Sequence, residues 1–161
     1  IMDIIIDFSD YRIDNNEIMI KELAIISLQS DTNGTFVDRH YVFKAPYSWE
    51  ELPTEYQNKF LSRQKIYGIP WNLGYTKIDL LYSILNKFFP KARCIFVTNE
   101  RAKQTLIEIV GNITIPIIPF NDNFGTLFKY RTSTGCIHHE NRKKNNCAYD
   151  NVLAMREILF N

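Results

Sequence analysis

Two cysteines and two histidines fall within twelve consecutive positions, from Cys136 through His138 and His139 to Cys147. Thiolate sulfur and imidazole nitrogen are donors that zinc takes in a tetrahedron, and a Cys-x-x-His spacing lets Cys136 and His139 share one ion. Cys147 opens an apolar series, Ala148, Val152, Leu153, Met155, Ile158 and Leu159, with helical spacing. That puts its thiol at a helix N-terminus, where the thiolate is favoured. Three donors are visible, and a closed structural site needs a fourth, from His138 or from elsewhere in the chain. The same residues are also accounted for without a metal, as one helix and one loop cysteine, both reduced, beside a solvated pair of histidines. Spacing alone does not choose between the two. The order Cys, His, Cys, with no matching second half, argues against a Cys2His2 finger.

A chain of 161 residues is long enough for one domain with a substantial core, and no linker, repeat or low-complexity stretch divides it, so 1–161 is read as a single domain. No run is apolar enough to span a bilayer, and no signal-peptide pattern stands at the start. The three cysteines make an odd count outside any regular framework, which predicts a reducing, intracellular setting in the cytoplasm or nucleus, with Cys94 inside a strand. The net charge of +1 excludes binding of nucleic acid through bulk charge, so any such site must be a local patch.

The elements that must position these residues follow from hydrophobic patterning. Asp3–Phe8 reads as a strand buried on both faces, and Ile18–Leu28 as a second with Lys21 and Glu22 as its only charges. Asp31-Thr32-Asn33-Gly34 is a hairpin signal before a third strand over Thr35–Lys44. Helices are predicted over Glu50–Gln64, from an N-cap at Thr76 to just before Pro90, and over Glu100–Val110, with a weaker one over Asp122–Tyr130. Arg93–Thr98 is a fourth strand, and Ile113–Pro119 a fifth at an edge, because Pro116 cannot donate to a ladder. A three-strand meander followed by β-α-β crossovers predicts an α/β, ribonuclease H-like fold of the DnaQ exonuclease type, a five-stranded mixed sheet flanked by helices.

Nucleases on that fold hold two metal ions with four carboxylates. Their first strand carries Asp-x-Glu. Here Asp7-Phe8-Ser9 keeps the first acid and has serine for the second. Lys103 stands where an acid is expected early in the helix after the fourth strand, and Asn146 and Asn151 stand where a histidine and an aspartate are expected near the last helix. Asp150 is one residue off, about 100° round the helix. With one acid of four in place, Asp7 reads as a vestigial catalytic residue.

Taken together, these residues resemble the Maelstrom domain, the DnaQ-like domain of proteins in germline small-RNA silencing. The sharpest match is Cys136-x-x-His139 followed by Cys147-Ala148. Softer ones are Ile69-Pro70-x-Asn72, Ile95-Phe96-Val97 leading into Arg101-Ala102, and Lys21-Glu22-Leu23-Ala24. The resemblance implies a structural zinc held by Glu22, Cys136, His139 and Cys147, with Glu22 as the missing fourth donor. Without the family, Glu22 would be read as pairing with a basic residue at the sheet edge. The resemblance also implies a pseudo-nuclease that binds single-stranded RNA, with a weak cleavage independent of the ancestral acids in some members, working beside silencing-pathway (piRNA) proteins. Candidate RNA contacts are Arg101, Lys103, Arg142, Lys143 and Lys144, with Trp71 and Tyr75 for base stacking. The alternatives are an active metal-dependent exonuclease or endonuclease with a rebuilt acid cluster, and a protein-interaction scaffold with no nucleic-acid role.

Overall fold

A computed structural model describes residues 2–120, 139 and 146–160. The expected helix over Asp122–Tyr130 lies outside the described residues, as do Cys136, His138, Arg142, Lys143 and Lys144. The described chain builds a five-stranded mixed sheet flanked by helices, with strand order β3-β2-β1-β4-β5. The strands are β1 (Met2–Arg12), β2 (Ile18–Ser27), β3 (Asp38–Val42), β4 (Ala92–Val97) and β5 (Ile117–Pro119). β1 runs antiparallel to β2 and β2 to β3, whereas β1 with β4 and β4 with β5 are parallel. Central β1 is buried from Met2 through Ser9, which explains why Ile4, Ile5 and Ile6 follow one another without polar alternation: both faces are covered.

The helices are α1 (Thr54–Tyr67), α2 (Leu81–Phe88), α3 (Glu100–Val110) and α4 (Ala148–Phe160). One sheet face packs Ile4, Ile6, Leu23, Ile25 and Ile95 against Leu81, Leu85 and Phe88 of α2 and Leu106 of α3. The other face packs Ile5, Ala24 and Ile26 against Ala148, Val152 and Met155 of α4. A third cluster joins Tyr11, Phe60 and Trp71 at the far end of β1, where Phe60 and Trp71 meet edge-on with ring centroids 5.2 Å apart.

Several boundaries differ from the sequence expectation, each for a local reason. The helix expected from Glu50 is interrupted. A 3-10 turn covers Trp49–Glu51 and α1 starts at Thr54, because Pro53 holds Leu52 in extended backbone. Gly68, at φ 72°, ends α1 in the left-handed conformation that glycine adopts without strain. Thr76 does not cap α2. Its backbone pairs with Phe43, and its carbonyl accepts from the amide of Lys44 at 2.8 Å, so a 3-10 turn at Ile78–Leu80 leads into the helix instead. β1 runs past Phe8 because its ladder with β2 continues to Arg12 and Ile18. β5 is shorter than expected and lies at the sheet edge. Pro116 just before it offers only its carbonyl, which accepts from the amide of Ile95 at 2.9 Å.

Candidate metal centre

Glu22 lies on β2 and is fully buried. A carboxylate withdrawn from water needs donors, and four groups reach it. The backbone amide of Ala148, at the start of α4, donates to Oε1 at 3.0 Å. The Nε2 atoms of His40 and His139 lie 2.7 and 3.1 Å from Oε2, and the Cys147 sulfur lies 3.7 Å from the same oxygen. Burial pushes this carboxyl up, but the hydrogen bonds from His139 and His40, with the Ala148 amide, outweigh it and hold it at about 2.

Each partner is delivered by a different part of the fold. Cys147 precedes α4, and its carbonyl accepts the first helical bond from Asn151 at 3.0 Å, so it occupies the N-cap position. Glu22 therefore sits against the positive end of a helix. His139 is buried, and its Nδ1 is bonded to the carbonyl of Tyr67 at the end of α1. That bond turns Nε2 toward Glu22. Burial works to lower the His139 pKa, but the Glu22 carboxylate outweighs it and the balance is upward. His40 lies on edge strand β3. Its neighbour Val42 pairs with Glu22 and His40 itself with Ala24, so His40 is diagonally across from Glu22 on the same face. Tyr149 of α4 stacks on the His40 ring, with centroids 5.2 Å apart and planes 13° apart, and its hydroxyl donates to Asp38 at 3.1 Å.

The donor set fits zinc by type: carboxylate, imidazole and thiol around one point. A tetrahedral zinc sets ligand separations of about 3.4 Å for nitrogen to oxygen and about 3.6 Å for sulfur to oxygen. His139 and Cys147, at 3.1 and 3.7 Å from Oε2, are close to those spacings. The His40 contact of 2.7 Å is shorter and has the length of a direct hydrogen bond. Glu22, His40 and Cys147 are nevertheless mutually close, with ligand atoms within 4.8 Å of one another. His139 reaches the same carboxylate from the α1 side. Its bond from Nδ1 to a backbone carbonyl is the arrangement that aims a histidine's Nε2 at a metal.

No family model matches this chain, and no curated protein is similar to it.

Of the sequence-derived zinc set, His139 and Cys147 each stand beside the Glu22 carboxylate, but the group whose ligand atoms all lie within 4.8 Å of one another has His40 in place of His139, and Cys136 lies outside the described residues. The sequence reading missed His40. Its only signal was a place on a strand next to that of Glu22, and strand register was needed to see that the two face each other. Glu22 does pair with a residue of the sheet edge, as a reading without a metal expects, and that residue is His40.

The second candidate centre is Asp7. It is buried on β1, with Oδ2 accepting from Asn151 Nδ2 at 2.8 Å and Oδ1 from the Thr98 hydroxyl at 3.3 Å. Asn151 also donates to Asn146 Oδ1 at 2.5 Å. Burial pushes the Asp7 pKa up to about 7 against these hydrogen bonds. The two asparagines read onto the nuclease pattern thus stand beside the acid that remains. One carboxyl beside two asparagine amides does not supply the negative charge that a pair of divalent ions requires. Asp150 is buried, and its charge is among the causes that raise His139.

Of the candidate RNA contacts, Arg101 is exposed at the start of α3 and Lys103, two residues on, is half-buried. Tyr75 is 62% exposed. Trp71 is not available for base stacking: it is 4% exposed, packed among Tyr11, Trp49 and Phe60, and its indole N–H donates to the Tyr47 carbonyl at 2.9 Å. Among the described residues, no helix is long and apolar enough to cross a membrane.

Proposed function

We propose that this chain is a Maelstrom-like domain of ribonuclease H-like, DnaQ type. In this reading it is a pseudo-nuclease that carries one structural zinc and binds single-stranded RNA for small-RNA silencing in the cytoplasm or nucleus. The observation that carries the proposal is the convergence of Glu22, His139 and Cys147 on one carboxylate oxygen. Glu22 is far in the chain from His139 and Cys147, and the resemblance assigns all three, with Cys136, to one site. The meander extended by two parallel strands supports the same fold reading.

Glu22, His139, Cys147 and the expected Cys136 would hold the ion, with His40 donating to the Glu22 carboxylate. When bound, zinc supplies a fixed tetrahedral node with no redox chemistry of its own. The residues themselves do the rest: β2 presents the carboxylate, α4 brings the thiol to its N-cap, and the Tyr67 carbonyl orients the imidazole. The ion would tie the last helix to the sheet. The sequence between His139 and Cys147 carries Arg142, Lys143 and Lys144, the proposed contacts to RNA phosphates.

Elemental mass spectrometry on protein purified without chelator tests the metal. About one zinc per chain, lost in Cys147→Ser, is the expected result, and folded protein without zinc would overturn the assignment. Fluorescence anisotropy with labelled single-stranded RNA tests the ligand. Lys143→Glu combined with Lys144→Glu should weaken binding, whereas unchanged affinity would remove that loop from the site. RNA cleavage that stops with EDTA, returns with magnesium and is lost in Asp7→Ala would replace the pseudo-nuclease by an active one.

A further inference from the structure

Asn151 lies in the first turn of α4 and is 3% exposed. Its side-chain amide has two protons to give. One goes to Asp7 Oδ2 at 2.8 Å and the other to Asn146 Oδ1 at 2.5 Å. Its backbone N–H donates to the Cys147 carbonyl at 3.0 Å. One residue thus joins β1, the residue before Cys147, and Cys147 itself. Asp7 is held in turn by the Thr98 hydroxyl at 3.3 Å. Asn146 is fixed from a second side, where its backbone amide donates to the Ile66 carbonyl at 3.3 Å, next to the Tyr67 carbonyl bonded to His139. Both carbonyls stand at the end of α1, where no further helical turn supplies donors.

The first amides of a helix have no partners within it, and the apolar packing of α4 on the sheet is non-directional. Neither fixes the backbone at Cys147. Directional bonds do so on both sides: Asn146 is bonded as above, and the Ala148 amide donates to Glu22 Oε1 at 3.0 Å. The buried Cys147 side chain is then left with one soft torsion, χ1. We infer that Asn151, braced by Asp7, is a positioning residue for the metal centre, holding Cys147 so that its sulfur stands 3.7 Å from Glu22 Oε2. The inference rests on the zinc reading of that centre and deepens it. It also gives Asp7 a use that needs no ion at Asp7 itself. The competing account is that Asn151 only fastens α4 to β1, so that its loss would lower stability and leave metal binding unchanged.

Cobalt(II) titration of the full chain, followed by sulfur-to-cobalt charge-transfer and d–d absorption and by competition with a chelating dye, separates the two. Asn146→Ala is the informative variant, because Asn146 is only half-buried and Asn151 keeps its bond to Asp7 without it. The native protein should take up cobalt with a thiolate band. Folded Asn146→Ala and Asn151→Ala should bind it about 10–100-fold more weakly, the range for groups that orient a ligand, with altered d–d bands. Native affinity and spectrum in both folded variants overturn the inference and leave the zinc reading intact. If Asn151→Ala does not fold, Asn146→Ala alone decides. A native protein that takes up no cobalt, or takes it up without a thiolate band, overturns the zinc reading and this inference with it.

Discussion

Glu22 is where the largest effects of a single substitution are expected. Glu22→Ala would leave the Ala148 amide, His40 and His139 facing a buried gap, and losing a buried charged partner typically costs about 3–5 kcal/mol. Urea denaturation in EDTA should show a loss of that size, with a further loss when zinc is supplied to both proteins. His40 has a different role, because its 2.7 Å contact is a hydrogen bond to the carboxylate. His40→Ala should still bind zinc, but about 10–100-fold more weakly, as loss of an outer partner of a ligand does; competition with a chelating dye would measure this. Asp7 is expected to show itself through pH. Its folded pKa of about 7 lies above the ordinary carboxyl value, so the folded state holds the proton more tightly than the unfolded chain. Its contribution is therefore fully present at low pH and is lost as pH rises from about 4 to about 7. Asp7→Asn keeps the shape and removes the titration. Denaturant midpoints for both proteins at several pH values should show the native protein losing stability, relative to the variant, across that window, by a few kcal/mol in all.

Among the elements, the loop between α1 and α2 fits closely against the sheet at Gly74. A β-carbon on Gly74 would lie 2.4 Å from the carbonyl oxygen of Phe43 and 2.5 Å from the amide of Lys44, both backbone atoms that cannot step aside. Gly74→Ala should destabilise the fold by about 1–3 kcal/mol, the range for overpacking. It should also release the Phe43–Thr76 bridge, which is visible as faster hydrogen exchange at Lys44, whose amide bonds to the Thr76 carbonyl. This contact was invisible in the sequence, where the loop was simply rich in glycine and proline. The strands and the buried faces of α2 and α3 were legible, because apolar periodicity reports burial directly. The start of α1 was misread because charged residues at Glu50 and Glu51 look helical until Pro53 is allowed its effect on the residue before it.

For the whole molecule, the near-neutral charge limits how RNA could be held. With a net charge of +1, binding must come from a few residues on one surface rather than from the overall field. If the basic loop and Arg101 are that surface, the slope of log affinity against log salt should be shallow, roughly −0.7 for each phosphate neutralised, and should fall further in Lys143→Glu/Lys144→Glu. A steep slope that those substitutions leave unchanged would point to another surface.

The sequence by itself determined the layered α/β architecture and the five strands, and it showed Glu22, His139 and Cys147 as side chains of a type that can ligate a metal, because these depend on side-chain type and on spacing along one element. It also placed asparagine and lysine where nuclease acids are expected, which are facts of identity. The meeting of Glu22 with His40, His139 and Cys147 was decided only by the tertiary structure. So were the burial of Trp71 and the hydrogen bonding of Asp7 to Asn151. Each depends on strand register or on contacts between elements distant in the chain, and neither register nor long-range contact leaves a periodic trace in a single sequence.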